Sequence, residues 1–167
     1  MSKPLLLLLL LLAGARLPAA AQDLEPVQNR SFQLKYNVPA HWRVTRQRTD
    51  SVDVLGYHSP DGDARLWVGQ LQGRHATLAP ARALRRLLRH LGARRHEEHA
   101  GAAHGLDYLE STGTCLVNGR LMRYDARVTQ QQGHTLLVYV YATPANFQLQ
   151  APVLHRILDS LTPLRGK

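Results

Sequence analysis

The chain has 167 residues, a formal net charge of +9 at pH 7 and a hydrophobic fraction of 44%. This length suits one domain with a sizeable core, and the composition is that of a globular protein rather than a disordered or repetitive one. The positive charge favours acidic proteins, acidic polymers or anionic membrane surfaces as partners. We expect no nucleic-acid binding, because the sequence has no recognisable nucleic-acid-binding module. Cys115 is the sole cysteine, which excludes an internal disulfide.

Residues 1–21 have the pattern of a cleavable signal peptide. Lys3 supplies a basic start, residues 5–12 are all leucine, and three alanines at 19–21 form a small-residue cleavage site. The leucine run is shorter than the roughly 20 residues that span a bilayer. No cysteine lies near the cleavage site, so we expect no lipid anchor. We therefore expect a periplasmic or secreted protein without a transmembrane segment after cleavage. A retained signal anchor is the alternative.

The next part of the chain has the patterns of strands and turns. Residues 22–30 form a polar lead segment, one domain is expected over residues 31–164, and a short basic tail follows at 165–167. Strands are predicted over residues 31–38, 43–46, 52–58 and 64–71. Between the last two, Ser59-Pro60-Asp61-Gly62 has the proline and glycine positions that a type I turn prefers. Trp42 and Trp67 are interpreted as core or edge-packing residues, with an aromatic ligand platform as the alternative.

A first helix is predicted over residues 77–91, with Thr77 as its cap, Pro80 in its first turn and Gly92 as its terminating residue. At about 100° per residue, four leucines fall on one side of this helix and four arginines on the opposite side. The leucines are Leu84, Leu87, Leu88 and Leu91, and the arginines are Arg82, Arg85, Arg86 and Arg89. The arginines are the candidate interaction surface, because a guanidinium fork engages carboxylate or phosphate at two points. The alternative is a solvated face that only keeps the helix soluble.

Several histidines and two glutamates follow this helix and raise the question of a metal site. They are His90, His96, Glu97, Glu98, His99 and His104. A metal needs three or four converging ligands, whereas His96 and His99 point to opposite faces if they lie on a strand. Their spacing also matches no zinc pattern, and the chain has no nucleophile elbow, phosphate-binding loop or dinucleotide-binding glycine motif. We therefore assign no metal, no cofactor and no catalytic residue.

Residues 114–143 predict three consecutive strands. Asn118-Gly119 between two strand-like runs indicates a type I′ hairpin turn, which needs positive φ at both positions. The register that follows pairs Val117 with Arg120, Cys115 with Met122, and Glu110 with Arg127. One face of this hairpin is then mainly apolar, so Cys115 is expected to be a buried, inert thiol. Residues 136–142 are apolar on both faces, as suits a central strand.

A second helix is predicted from Pro152 to about Leu161, because proline is well tolerated in the first turn of a helix. Its apolar stripe consists of Val153, Leu154, Ile157, Leu158 and Leu161, with Phe147 just before it. Pro163 prevents the helix from continuing.

Several motifs occur in a definite order over residues 31–163. They are Tyr36-Asn37-Val38-Pro39-Ala40-His41-Trp42, then Ser59-Pro60-Asp61-Gly62, then the first helix, then Asn118-Gly119-Arg120, and finally Ile157-Leu158-Asp159-Ser160-Leu161. In this order they resemble the PsbP-like domains, which share an α/β/α sandwich with the Mog protein and with many exported bacterial proteins of unassigned role. The resemblance implies an α+β fold, in which an antiparallel sheet of six or seven strands is flanked by two principal helices. It also implies a noncatalytic binding or assembly module.

The sequence is consistent with two functions of different classes. The first is an exported, monomeric, noncatalytic binding module that acts through the four arginines on an acidic partner or envelope surface. The second is a small envelope hydrolase or metal-dependent enzyme that uses His58, His96, His99 or His104. The second function requires these histidines to converge in one pocket.

Overall fold

The computed structural model describes residues 23–164. The predicted signal peptide and the basic tail therefore lie outside the described residues. Within this range the chain forms ten strands and two α-helices. In chain order these are β1 (Leu24–Asn29), β2 (Leu34–Pro39), β3 (Arg43–Arg48), β4 (Val52–His58), β5 (Ala64–Leu71), α1 (Pro80–Leu91), β6 (Arg94–Ala103), β7 (Leu106–Val117), β8 (Arg120–Gln131), β9 (His134–Ala142), α2 (Pro144–Asp159) and β10 (Thr162–Pro163).

Seven strands form the main sheet, in the order β3-β4-β5-β9-β8-β7-β6, and all neighbours are antiparallel. β9 lies at the centre, between β5 and β8, which confirms the position expected from its two apolar faces. The predicted bounds of β4 and β5 are confirmed, and the turn between them closes through a hydrogen bond from Gly62 N to Ser59 O of 2.9 Å. The predicted α+β fold, a largely antiparallel sheet with two helices, is confirmed.

The hairpin of β7 and β8 has the predicted register throughout, including the three pairs given above. Asn118 and Gly119 have φ values of 51° and 78°, as a type I′ turn requires. Cys115 is fully buried, and burial raises the pKa of its thiol to about 11. The thiolate is therefore disfavoured, in agreement with an inert packing role.

α1 covers one face of the main sheet, where it packs on β7, β8 and β9. The four predicted leucines are all buried against residues such as Met122, Tyr124 and Val128 of β8. Gly92 ends the helix with a φ of 60°, as predicted. Thr77 is not the cap, however, and the helix begins after Ala79. The preceding segment is held to β9 instead, because the Leu78 carbonyl accepts a hydrogen bond from Thr135 Oγ1 at 2.5 Å.

The other face carries α2 and a second, three-stranded sheet of order β1-β2-β10. The core between these layers contains side chains from β2, from the main sheet and from α2. Examples are Phe32, Leu34, Tyr36, Leu66, Val138, Leu154, Ile157 and Leu158. Residues 22–30 were expected to be only a polar lead, yet Leu24–Asn29 form β1 and pair with β2. The strand predicted over residues 31–38 likewise belongs to this second sheet rather than to the main one.

α2 begins earlier than predicted. Pro144 occupies its first turn, Phe147 N donates to Thr143 O at 2.7 Å, and Pro152 lies inside the helix. Phe147 and Leu154 are seven residues apart, so the longer helix places both on its buried side. The prediction placed the helix start at Pro152, whereas the helix begins at Pro144 and so includes the buried Phe147. Neither helix in residues 23–164 is both long and apolar enough to cross a membrane.

Candidate functional site

The candidate interaction surface consists of Arg82, Arg85, Arg86 and Arg89, and we call it the arginine surface. All four side chains are exposed on the side of α1 that points away from the sheet. Within residues 23–164 none of them forms a salt bridge with a carboxylate. The arginine surface is therefore a cluster of positive charge that forms no ion pair with the carboxylates of the described residues.

The start of α1 strengthens the positive potential. No acidic residue lies in the first turn, where Arg82 is found. A helix N-terminus already carries about half a positive charge from its unpaired N–H groups. Both the backbone N–H groups and the Arg82 side chain thus favour negatively charged groups at this end of the helix.

His75, from the short 3₁₀ turn Gly73–His75 before α1, adjoins the arginine surface. Its Nε2 atom accepts hydrogen bonds from Arg86 Nη1 at 3.0 Å and from Arg74 Nε at 3.4 Å. A guanidinium only donates, so this His75 ring is neutral and carries its proton on Nδ1. Partial burial and the charges of Arg86 and Arg74 lower the pKa of His75. The sequence did not single out His75, because only the fold of the preceding turn brings it to Arg86.

The arginine surface borders a broad, open concavity of about 820 Å³ that extends to the beginning of β6. Glu98 is the one carboxylate among its lining residues, and it lies 3.3 Å from His96. The concavity is therefore wide, shallow and predominantly basic, which suits a macromolecular surface better than a small substrate.

The histidines proposed for an enzyme lie apart. His58 is on β4, where its ring packs edge-on against Trp67 with a centroid distance of 5.8 Å. On β6, His96 pairs with Glu98 and His99 lies 3.7 Å from Glu97, so the two histidines point to opposite faces as expected. His104 is exposed in the turn that follows. No three potential metal-ligating side chains converge in the described part of the chain.

Buried charges lie on the opposite side of the sheet, under α2. Arg127 donates to Glu110 at 2.6 Å, which confirms the predicted cross-strand pair, and also to Asp159 of α2 at 2.8 Å. Asp125 lies 3.0 Å from His155 Nε2. Burial raises the pKa of Asp125, although His155 acts in the opposite direction. These pairs join α2 to the sheet and have a structural role.

Comparisons with known proteins identify the fold. No protein-family model matches the chain, and no curated protein matches it significantly. Among solved structures, the cyanobacterial PsbP protein CyanoP from Synechocystis sp. PCC 6803 has a TM-score of 0.64 and 15% sequence identity, over 90% of this chain and 98% of that chain.

Two further structures have lower scores. PA94 of Pseudomonas aeruginosa, a protein of unknown function, has a TM-score of 0.52 and 14% identity, over 86% of this chain and 99% of that chain. LpqN, involved in cell envelope biogenesis of Mycobacterium tuberculosis, has a TM-score of 0.50 and 17% identity, over 84% of this chain and 91% of that chain. At these identities the similarity concerns architecture, and the chain has a PsbP-like fold.

Proposed function

We propose that this protein is an exported, noncatalytic binding module that attaches to an anionic partner through the arginine surface. The observation that carries the proposal is a set of four exposed arginines with no carboxylate partner within residues 23–164. Arginine forks bind carboxylate and phosphate groups at two points, and clustered arginines attract such groups from a distance. The partner is thus an acidic protein, an acidic polymer or an anionic membrane surface.

The position of α1 limits how such a partner is bound. Its leucine side is fully used in the core of the domain. α1 therefore has no apolar side left to insert into a bilayer, and a lipid surface would be held by charge alone. We accordingly expect attachment through this surface to weaken strongly with salt, because screening acts over about 8 Å at physiological ionic strength.

Two observations support export and a noncatalytic role. Residues 1–21 have the signal-peptide pattern described above, and LpqN, one of the structural relatives, is involved in cell envelope biogenesis. The histidines that an enzyme would use are distributed over β4, both faces of β6 and an exposed turn. This arrangement gives the enzyme hypothesis no common pocket.

The proposal is tested by charge reversal. The arginine surface is changed to glutamate at all four positions, and binding is measured to polyglutamate, to inorganic polyphosphate and to phosphatidylcholine vesicles with and without phosphatidylglycerol. We expect the unchanged protein to bind at least one anionic probe at low salt and to be released at high salt. The variant should bind at least about fourfold more weakly, since four exposed ion pairs of roughly 0.2–1 kcal/mol each are lost.

A control variant carries the same total charge change at other exposed arginines. Suitable positions are Arg30, Arg43, Arg48 and Arg156, which lie outside α1. Equal loss of binding in both variants would show that only net charge matters and would contradict a specific surface. Unchanged binding in the arginine-surface variant would also overturn the proposal.

A further inference from the structure

A second cavity, of about 370 Å³, lies beside α1 on the same face of the sheet. α1 packs on β7, β8 and β9, so it leaves part of β4 and β5 uncovered on this face. The side of the helix forms one wall of the cavity and the uncovered strands form its floor. Its volume falls in the range of small-molecule sites, roughly 300–1,000 Å³.

Gly69 creates the depth of this cavity. It is paired with Val54 on β4 and with Leu137 on β9, and Trp67 and Leu71 are its same-face neighbours along β5. All five residues line the cavity. The missing side chain at the centre of these larger ones leaves a hollow in the floor of the sheet. A β-carbon at Gly69 would lie 3.3 Å from Val54 Cγ2 and 3.4 Å from Val54 Cβ, so a side chain at this position requires Val54 to shift slightly.

The walls of the cavity are mainly apolar and include two aromatic rings. Trp67 and Tyr139 are direct cross-strand partners, and their ring planes are within 19° of parallel at a centroid distance of 6.4 Å. Leu87 of α1 contributes to the other side of the cavity. Two nearly parallel rings beside a glycine without a side chain favour a ligand with a flat aromatic group, because such a group can pack against ring faces.

The charged and titratable groups at the cavity are all basic or neutral. Arg86, His75 and His90 line it, and no aspartate or glutamate does. Arg86 is exposed, and among the described residues its side chain forms a hydrogen bond only with His75, at 3.0 Å. A ligand with its apolar part in the hollow and a carboxylate at Arg86 would satisfy both regions of the cavity.

We propose that this cavity binds a small aromatic carboxylate, with its ring over Gly69 beside Trp67 and Tyr139 and its carboxylate at Arg86. This inference goes beyond attachment to an anionic partner, because it assigns a separate small-molecule site. The two proposals share Arg86 and the adjoining His75. A bound carboxylate would occupy Arg86 and so reduce the positive charge that the arginine surface offers to its partner.

The test compares 2-naphthoate with 2-naphthylmethanol, a neutral compound of similar shape. Both are titrated into the full-length protein and followed by ¹H–¹⁵N NMR, with the amide of Gly69 and the indole N–H of Trp67 as reporters. We expect 2-naphthoate to shift both signals and to bind about tenfold or more tightly than the alcohol, since a hydrogen bond to a charged group contributes that much discrimination. Equal affinities, or shifts only outside the cavity, would overturn the proposal.

Two variants separate the parts of the site. Gly69→Leu fills the hollow and should abolish binding of both compounds, with folding checked from the NMR spectrum. Arg86→Gln should reduce the affinity for 2-naphthoate to that for the alcohol and should leave the affinity for the alcohol unchanged. Arg82→Gln is the matched control, because Arg82 is on the same helix but does not line this cavity. Retained 2-naphthoate binding in either of the first two variants would contradict the proposed position.

Two further measurements complete the test. Decanoate carries a carboxylate on a flexible chain. If decanoate binds and 2-naphthoate does not, the proposal that the ligand is aromatic is overturned. Gly69→Leu is also assayed against the anionic probe used for the arginine surface. Because Gly69 lies on the sheet floor, that attachment should be retained, so failure of one proposal is distinguishable from failure of the other.

Discussion

Single residues with positive φ explain why part of the fold could be predicted in detail. Asn118 and Gly119 form a two-residue turn, and this turn fixes every pair of the hairpin that follows it. The information is local in sequence, so it was readable without the structure. Gly69 is the opposite case. Its φ is not in the left-handed region, and its importance comes from neighbours on two other strands. No local pattern could identify it as the floor of a cavity.

Replacing Gly119 by valine should destabilise the protein by about 1–3 kcal/mol, because a β-branched residue is strained at a φ of 78°. The free energy of unfolding from urea titration measures this change. Asn118→Gly is the control and should have a much smaller effect, since glycine adopts the φ of 51° at that position without strain. A Gly119→Val variant as stable as the unchanged protein would contradict the role of this turn.

At the scale of elements, periodicity predicted the buried sides of both helices but did not predict both starts. The leucines of α1 and the apolar stripe of α2 face the core as expected. Thr77 failed as a cap because residues 76–78 bond to β9 and to Gln130, and these are long-range contacts. α2 was predicted too short because Pro152 resembled a helix start. An interior proline is accommodated here in a helix whose buried side extends from Phe147 to Leu158.

The contact of α2 with the sheet should depend on pH through Asp125. Burial raises the pKa of this carboxyl in the folded protein, so folding favours its protonated form. That stabilisation is fully present below the ordinary aspartate range near about 4 and is lost as pH rises through the raised pKa. The stability of Asp125→Asn relative to the unchanged protein should therefore increase as the pH rises from about 4 to about 7.

Urea unfolding of both proteins at the two pH values measures this difference. Asp107→Asn is the matched control, because Asp107 is exposed and its side chain forms no hydrogen bond or salt bridge with the described residues. The control should show little change with pH relative to the unchanged protein. An Asp125→Asn difference that is constant, or that falls as pH rises, would be inconsistent with the stated effect of burial.

The binding of an anion beside α1 should also depend on pH, through His75. Partial burial, Arg86 and Arg74 lower the pKa of this histidine, so its ring is neutral at pH 7 and accepts a hydrogen bond from Arg86. A bound carboxylate stabilises the protonated ring, and by linkage protonation strengthens carboxylate binding. The affinity for 2-naphthoate should therefore rise as the pH falls from about 8 to about 5.5. Most of the rise should occur below about pH 6.5, the ordinary pKa of histidine, because the pKa of His75 is lowered.

Substitutions can assign this dependence. His75→Gln should reduce the slope of affinity against pH. His90→Gln is the comparison variant, since His90 is the other titratable histidine that lines the cavity. A slope that persists in His75→Gln and disappears in His90→Gln would transfer the effect to the second histidine and contradict the prediction. Calorimetric titration at several pH values provides the affinities.

At the scale of the whole molecule, the sequence predicted the class of fold but not the division into two sheets. Six or seven strands in one sheet were expected, and seven are found. The second sheet was missed because β1 is mostly polar and short, and because β2 pairs with β10, which is far from it in sequence. The four arginines were recognised because helical periodicity is local. That they have no carboxylate partner within residues 23–164 depends on how distant parts of the chain fold together, so it could be seen only in three dimensions.

The second sheet has a consequence for the order of folding. β6 to β9 are successive hairpins, so each of their pairings joins residues that are close in sequence and is expected to form early. β2 can pair with β1 in the same way, but its other edge pairs with Thr162–Pro163, which follow every other described strand in the chain. We therefore expect this edge of β2 to close late, and until then it is an open strand edge that another chain could pair with.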